Sequence, residues 1–168
     1  MPPEHLRLFL LGLALFAPSL RAQDWQYYLN ENIHPALGTT TAYVWIPPNA
    51  DHVRGVIWAW KVVAEEEFVL DPAIRRAAML ERLAIVYYPS LPQFGFLQTA
   101  ADVTEFNATM ARLATLTGYP EMQYAPVIPF GHSTAGLTVR NQLLLMPGRT
   151  TARLTIRTSS SPTTWPCS

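Results

Sequence analysis

The chain has 168 residues, nearly half of them apolar, and a formal net charge of zero at neutral pH. The high apolar and aromatic content argues against an intrinsically disordered protein, and the absence of a basic stripe argues against nucleic-acid binding. Cys167 is the only cysteine, so an internal disulfide framework is excluded. The sequence shows no metal-binding spacing and indicates no cofactor.

The first 22 residues predict a secretory signal peptide. His5 and Arg7 make a weakly basic start, residues 8–17 are unbroken apolar, and Ala22 supplies a small residue for cleavage. The apolar run is about half of the ~20 residues that a membrane-spanning helix needs, so a retained anchor is the weaker alternative. We therefore expect export, to the medium or the periplasm, of a domain that occupies residues 23–147.

Strands and helices alternate along the rest of the chain. The strand segments are short, apolar and rich in β-branched and aromatic residues, whereas the helix segments follow capping residues such as Asp71 or repeat apolar residues every three or four positions. This order predicts an α/β fold with a mostly parallel sheet and flanking helices. The predicted strands are residues 39–46, 54–60, 84–88 and 125–130, and the predicted helices are residues 73–83, 101–117 and 137–146.

Two prolines fall in the fourth predicted strand. Pro126 and Pro129 lack the N–H that a central strand donates to its neighbour. We therefore expect each proline to lie at the start of the strand, at a bulge or on a side without a pairing partner.

Residues 131–136 read Gly-His-Ser-Thr-Ala-Gly, between the fourth predicted strand and the last predicted helix. This segment resembles the nucleophile elbow of the α/β-hydrolase family, Gly-x-Ser-x-Gly on a sharp strand-to-helix turn, with Ala135 in place of the last glycine. The resemblance extends over most of the chain up to about Met146. It implies an incomplete α/β-hydrolase-like fold, of which this chain is the N-terminal part.

The resemblance also implies a function and a site. A secreted serine hydrolase of the esterase or acyl-hydrolase type would act on a small-molecule ester or acyl substrate, with Ser133 as its nucleophile. The oxyanion hole would use the backbone N–H of Thr134 and a second donor near Trp60 and Lys61, at the end of the second predicted strand.

In this family the acid and the histidine follow the serine in the chain, but no Asp, Glu or His follows Ser133. His132 is a poor base because neighbouring side chains on such a turn point apart, and His34 and His52 are expected in a loop and a turn. The run from Glu65 to Glu67 borders the site, yet three consecutive carboxylates typically form a solvated face. A catalytic role for this run is the weaker interpretation.

The composition changes near Pro147. Residues 148–168 contain six Thr, four Ser and three Arg, without Asp, Glu or Lys. We expect a disordered or out-of-frame tail on a truncated, inactive product, with a genuine Ser/Thr-rich tail as the alternative.

A second function class stays open, namely a secreted, non-catalytic binding module on the same framework. Its ligand surface would use aromatic residues such as Trp25, Trp45, Trp58 and Trp60, although most of the aromatic residues are better explained as strand core. The sequence favours no particular oligomeric state.

Overall fold

The computed structural model describes residues 25–31, 39–90 and 99–150 and the backbone of strand 154–156. The predicted signal peptide, the loop 91–98 and most of the predicted tail lie outside the described residues. The strands are β1 (Tyr27–Glu31), β2 (Thr40–Trp45), β3 (Gly55–Trp60), β4 (Leu83–Tyr88), β5 (Val127–His132) and β6 (Leu154–Ile156). The helices are α1 (Glu65–Leu70), α2 (Pro72–Glu81), α3 (Ala100–Thr117) and α4 (Thr134–Leu145), with a 3₁₀-helix at Pro120–Gln123.

The strands form one mixed sheet in the order β1-β2-β4-β3-β5-β6. The pairs β3–β4, β3–β5 and β5–β6 are parallel, whereas β1–β2 and β2–β4 are antiparallel. The predicted α/β class with a mostly parallel sheet is confirmed. None of the helices in the described ranges combines the length and the apolar character that a bilayer span requires.

The core lies on both faces of the sheet. Phe106, Met110 and Leu113 of α3 pack against one face, and Val69 of α1 and Ala78 of α2 pack against the other. Because both faces are covered, every residue of β3 is buried, which explains its continuous apolar sequence.

The tryptophans proposed for a ligand surface lie mostly in the core. Trp45, Trp58 and Trp60 are each at most 4% exposed, and the Trp58 ring contacts the rings of Trp60, Tyr88 and Phe106. These three side chains therefore form no binding surface. The interpretation of an aromatic ligand platform is wrong for them.

Local sequence signals explain where the helices begin and end. Asp71 accepts the N–H groups of Ala73 and Ile74 at the start of α2, as the predicted N-cap does. The helix ends two residues earlier than predicted because Arg82 adopts a left-handed conformation with φ 55°. Leu83 therefore belongs to β4. Helix α1, which occupies the glutamate run, was not predicted.

The two prolines keep the pairing of β5 with β3 intact. Pro126 precedes the strand, and its carbonyl accepts the Val56 N–H. Val127 donates its N–H to the Arg149 carbonyl, on the side of β5 that faces away from β3. Because backbone groups alternate along a strand, the Pro129 nitrogen also faces away from β3. There it lies between the Val127–Thr150 bridge and the first β6 pair at Phe130. The missing N–H thus removes no bond to β3.

A buried polar cluster connects the end of β1 to β4 and α3. The Glu31 carboxylate accepts hydrogen bonds from Tyr88 Oη at 2.8 Å, Thr109 Oγ1 at 3.2 Å and Arg112 Nε at 2.9 Å. These donors satisfy a carboxylate that is almost fully buried. Burial raises the pKa of Tyr88 well above its ordinary value, so its hydroxyl remains a donor.

The first residues after the predicted boundary at 147 contact the fold. Arg149 donates to the carbonyls of Gln123 and Ala125 and to Asn107 Oδ1, and its guanidinium lies 5.4 Å from the Phe106 ring centroid. Leu154–Ile156 then pairs in parallel with the end of β5. The interpretation of residues 148–168 as a tail stays a prediction. The contacts of Arg149 and of residues 154–156 lie in the first part of this segment.

Candidate active site

Ser133 lies on a sharp turn between β5 and α4. Its backbone has φ 53° and ψ −117°, a conformation that non-glycine residues rarely adopt and that costs about 1–3 kcal/mol. Ser133 is the N-cap residue of α4, but it lacks both the extended backbone and the side-chain cap bond that a capping serine normally has. The side chain is exposed and contributes nothing visible to helix capping.

The turn is possible because its neighbours are small. A Cβ placed on Gly131 would lie 2.6 Å from Ala135 Cβ and 2.9 Å from the Ala135 carbonyl carbon and oxygen. Ala135 itself is fully buried. The first turn of α4 is therefore pressed against the end of β5, and this contact aims the N–H groups of the helix start towards Ser133.

The predicted oxyanion-hole residues lie at the ends of their elements. Thr134 is the first residue of α4, directly after Ser133, and helix geometry leaves its N–H without an intrahelical acceptor. Trp60 ends β3, and Lys61 follows it with its N–H donated to Tyr88 O at 2.9 Å. The Lys61 side chain pairs with Glu66. Lys61 would therefore have to release Tyr88 before its N–H could bind an oxyanion.

Glu65 belongs to the glutamate run for which the sequence favours a solvated face over a catalytic role. The residue is 0% exposed, so the expected solvated face is wrong at this position. Its carboxylate accepts the N–H groups of Val62, Val63 and His132 at 2.7–2.8 Å. Burial acts to raise the pKa of Glu65, but these hydrogen bonds outweigh burial and hold it below the ordinary value of 4.5.

The next two glutamates have other environments. Glu66 is half-buried and accepts from Lys61 Nζ and from Tyr87 Oη at 3.2 Å. The hydrogen bond from Lys61 lowers the pKa of Glu66. Glu67 is exposed, as expected of a solvated face.

Both carboxylate oxygens of Glu65 accept hydrogen bonds from backbone N–H groups, so Glu65 is not positioned to act as a general base.

Of the two histidines in the described residues, His52 and His132, neither forms a hydrogen bond with Ser133. His132 donates its N–H to Glu65, and within the described residues its buried Nδ1 has no hydrogen-bond partner. The Nδ1 atom of His52 lies 2.9 Å from Asp51 Oδ1, and its Nε2 atom lies 3.0 Å from Arg82 Nη1. His34 lies outside the described residues. Among the residues that are described, no group of His, Cys, Asp or Glu side chains could hold a metal ion.

A cavity of about 580 Å³ opens beside the turn. It lies between β5, the loop after β3 and the helices α1 and α2. Apolar side chains dominate its lining, and the volume is within the range of small-molecule sites. The lining residues are Val63, Ala64, Glu65, Glu67, Phe68, Asp71, Ile74, Phe130 and His132.

The fold recurs in solved structures of esterases. A siderophore hydrolase from Aspergillus nidulans matches 82% of this chain and 58% of its own at 12% identity, with a TM-score of 0.52. The fold is that of an α/β-hydrolase. An S-formylglutathione hydrolase from Agrobacterium tumefaciens matches 76% of this chain and 56% of its own at 18% identity, with a TM-score of 0.50. A thermostable esterase matches 77% of this chain and 39% of its own at 10% identity, also with a TM-score of 0.50.

These similarities establish the α/β-hydrolase fold. The chain spans between 39% and 58% of the length of these three enzymes. No family model matches the chain, and no curated protein does.

Proposed function

We propose that this protein is a secreted or periplasmic serine hydrolase that acts on small ester or acyl substrates, with Ser133 as nucleophile. The observation that carries the proposal is the backbone of Ser133, at φ 53° between β5 and α4. A strained conformation tends to persist at functional sites, where exposure of a reactive group repays its cost. An ordinary capping serine needs no such strain.

The proposed chemistry is acyl transfer. Ser133 Oγ attacks the carbonyl carbon of the ester and its proton passes to a base. The tetrahedral intermediate collapses to an acyl-serine as the alcohol leaves with that proton, and water then hydrolyses the acyl-serine to the free acid and Ser133. The Thr134 N–H stabilises the oxyanion from the start of α4. The second donor lies in the region of Trp60 and Lys61 at the end of β3, where the Lys61 N–H first has to leave Tyr88 O. The cavity beside His132 would accept the acyl group, since its lining is mainly apolar.

The proposal requires an acid and a histidine after Ser133, and residues 134–168 contain neither. We propose that a longer form of the protein supplies both groups. The 168-residue chain alone would then be nearly inactive, because loss of the base removes on the order of 10⁶ in turnover.

The test begins with the coding DNA beyond the Gly148 codon, translated in all three frames. The proposal expects a continuation that contains an Asp or Glu and a later His. This longest product of the gene is then assayed with p-nitrophenyl esters, as wild type and as Ser133→Ala. The substitution should lower kcat/KM by about 10⁴-fold or more.

Ser90→Ala is the matched control, since Ser90 is an exposed serine that bonds only Thr40 among the described residues. It should leave turnover unchanged. Turnover that survives Ser133→Ala would contradict the proposal. A product that binds esters in the cavity without turnover would instead favour the non-catalytic binding module.

A further inference from the structure

Glu65 joins the two chain segments that border the proposed oxyanion hole. Its Oε2 accepts the N–H groups of Val62 and Val63, both at 2.8 Å, and its Oε1 accepts the N–H of His132 at 2.7 Å. Val62 and Val63 belong to the loop after β3, and His132 directly precedes Ser133. One side chain therefore connects this loop to the nucleophile turn.

The His132 N–H lies beyond the paired part of β3 and β5, and the Glu65 carboxylate is its acceptor. The β3–β5 register ends with Ala59 opposite Phe130, and Lys61 already turns its N–H towards Tyr88 on β4. The Glu65 carboxylate thus takes the place of the next acceptor on β3. Without it, the N–H beside the proposed nucleophile would lose its partner.

Burial makes this connection rigid. Glu65 is fully buried at the start of α1, and each of its oxygens is committed to a backbone donor. A carboxylate in such a site remains where its donors are, because moving it would expose an unpaired charge to an apolar interior. Rigid support of this kind matters for acyl transfer, which is sensitive to small displacements of the oxyanion donors.

We infer that Glu65 is a positioning residue for Ser133, which holds the loop after β3 at a fixed distance from the nucleophile turn. The inference rests on the proposed function, since it assigns Glu65 a part in setting the geometry of that same site. Glu65 touches no substrate in this role and acts through the backbone of His132.

Two substitutions separate the ends of this connection. Glu65→Asp keeps the charge but shortens the reach by one methylene, so it should retain the N–H groups of Val62 and Val63 and lose that of His132. Glu65→Gln replaces one oxygen by an NH₂ group, which cannot accept, so it loses one of the two ends. Amide hydrogen exchange at His132 should be about tenfold faster or more in Glu65→Asp.

The second measurement is the rate at which an alkyl fluorophosphonate modifies Ser133 in the longest product of the gene. Serine Oγ forms the bond to phosphorus, fluoride leaves and the base takes the proton. Glu65→Asp should slow this reaction about tenfold or more, while the far-UV circular dichroism spectrum stays unchanged. Glu105→Gln, which alters an exposed glutamate of α3, should change neither exchange nor reactivity.

Faster exchange at His132 together with slower modification of Ser133 supports the inference. Unchanged exchange at His132 in both variants overturns it, and so does faster exchange with an unchanged reaction rate. A wild-type Ser133 that never reacts refutes the proposed function, and the positioning role falls with it. The exchange rates then still show whether the connection exists, so the two failures are distinguishable.

Discussion

Gly131 and Ala135 are in closer contact than any larger residue at position 131 would permit. A Cβ on Gly131 would lie 2.6 Å from Ala135 Cβ and 2.9 Å from two backbone atoms of Ala135. The end of β5 and the first turn of α4 therefore meet through one hydrogen atom of a glycine. This contact sets the sharpness of the turn that carries Ser133.

Gly131→Ala should destabilise the protein by about 1–3 kcal/mol, because the added methyl group collides with backbone that cannot move independently of α4. Gly148→Ala is the matched control, since a Cβ there meets no atom within 4 Å. Urea unfolding of both variants measures the difference. Equal stability of Gly131→Ala and wild type would contradict the close contact.

Ser133→Gly should be more stable than Ser133→Ala by about 1 kcal/mol, although both remove the hydroxyl. Glycine adopts φ 53° and ψ −117° without the steric cost that any Cβ imposes, and this gain exceeds its larger loss of chain entropy. Thermal unfolding of the pair tests the strain separately from catalysis. A Ser133→Gly variant less stable than Ser133→Ala would show that the turn is relaxed.

Glu65 should make stability depend on acid pH. The folded state holds the pKa of Glu65 below the ordinary 4.5. The contribution of Glu65 to the free energy of unfolding is therefore fully present at a pH above its pKa in the unfolded chain. This contribution is lost as the pH falls through its lower pKa in the folded state. Glu65→Gln should cost about 1–3 kcal/mol at pH 7, and its difference from wild type should narrow below pH 4.5. Urea unfolding between pH 7 and pH 3 measures this difference.

Burial acts to raise the pKa of Asp51, but Arg82 and His52 outweigh it and lower the pKa. This site is the same in wild type and variant, so its effect cancels in the comparison. A difference between wild type and Glu65→Gln that stays constant from pH 7 to pH 3 would mean that the folded state does not stabilise the ionised carboxylate.

Arg149→Ala should destabilise the fold by about 1–3 kcal/mol, since it leaves the carbonyls of Gln123 and Ala125 without this donor. Arg140→Ala, at an exposed position of α4, should stay within about 0.5 kcal/mol of wild type. Thermal unfolding compares the two. Arg149→Ala that unfolds like Arg140→Ala would support the interpretation of residues from Gly148 onward as a tail foreign to the fold.

Local signals in the sequence were sufficient for most elements. Pro72 after Asp71 marks the start of α2, and Gly118, at φ 78°, ends α3 as predicted. The elements whose signals depend on distant partners were missed or misplaced. The glutamate run reads as solvated until the His132 N–H is known to lie opposite Glu65. The predicted fourth strand, residues 125–130, begins two residues before β5 because Ala125 and Pro126 precede the paired residues.

The candidate site was only partly predictable for the same reason. Ser133, Gly131 and Ala135 are close in sequence, so the motif alone indicates the turn. The second oxyanion donor depends on how the loop after β3 folds back, and the commitment of the Lys61 N–H to Tyr88 arises only in the assembled sheet. A buried carboxylate with backbone partners has no sequence signature beyond a glutamate at the start of a short helix.

The most direct test of the central claim is to map where an alkyl fluorophosphonate attaches to the longest product of the gene. Peptide mass spectrometry after labelling should find the phosphonate on Ser133, and Ser133→Ala should remain unlabelled while Ser90→Ala is labelled like wild type. A phosphonate on another residue, or none on a folded protein that contains the complete chain, would contradict the assignment of Ser133 as the nucleophile.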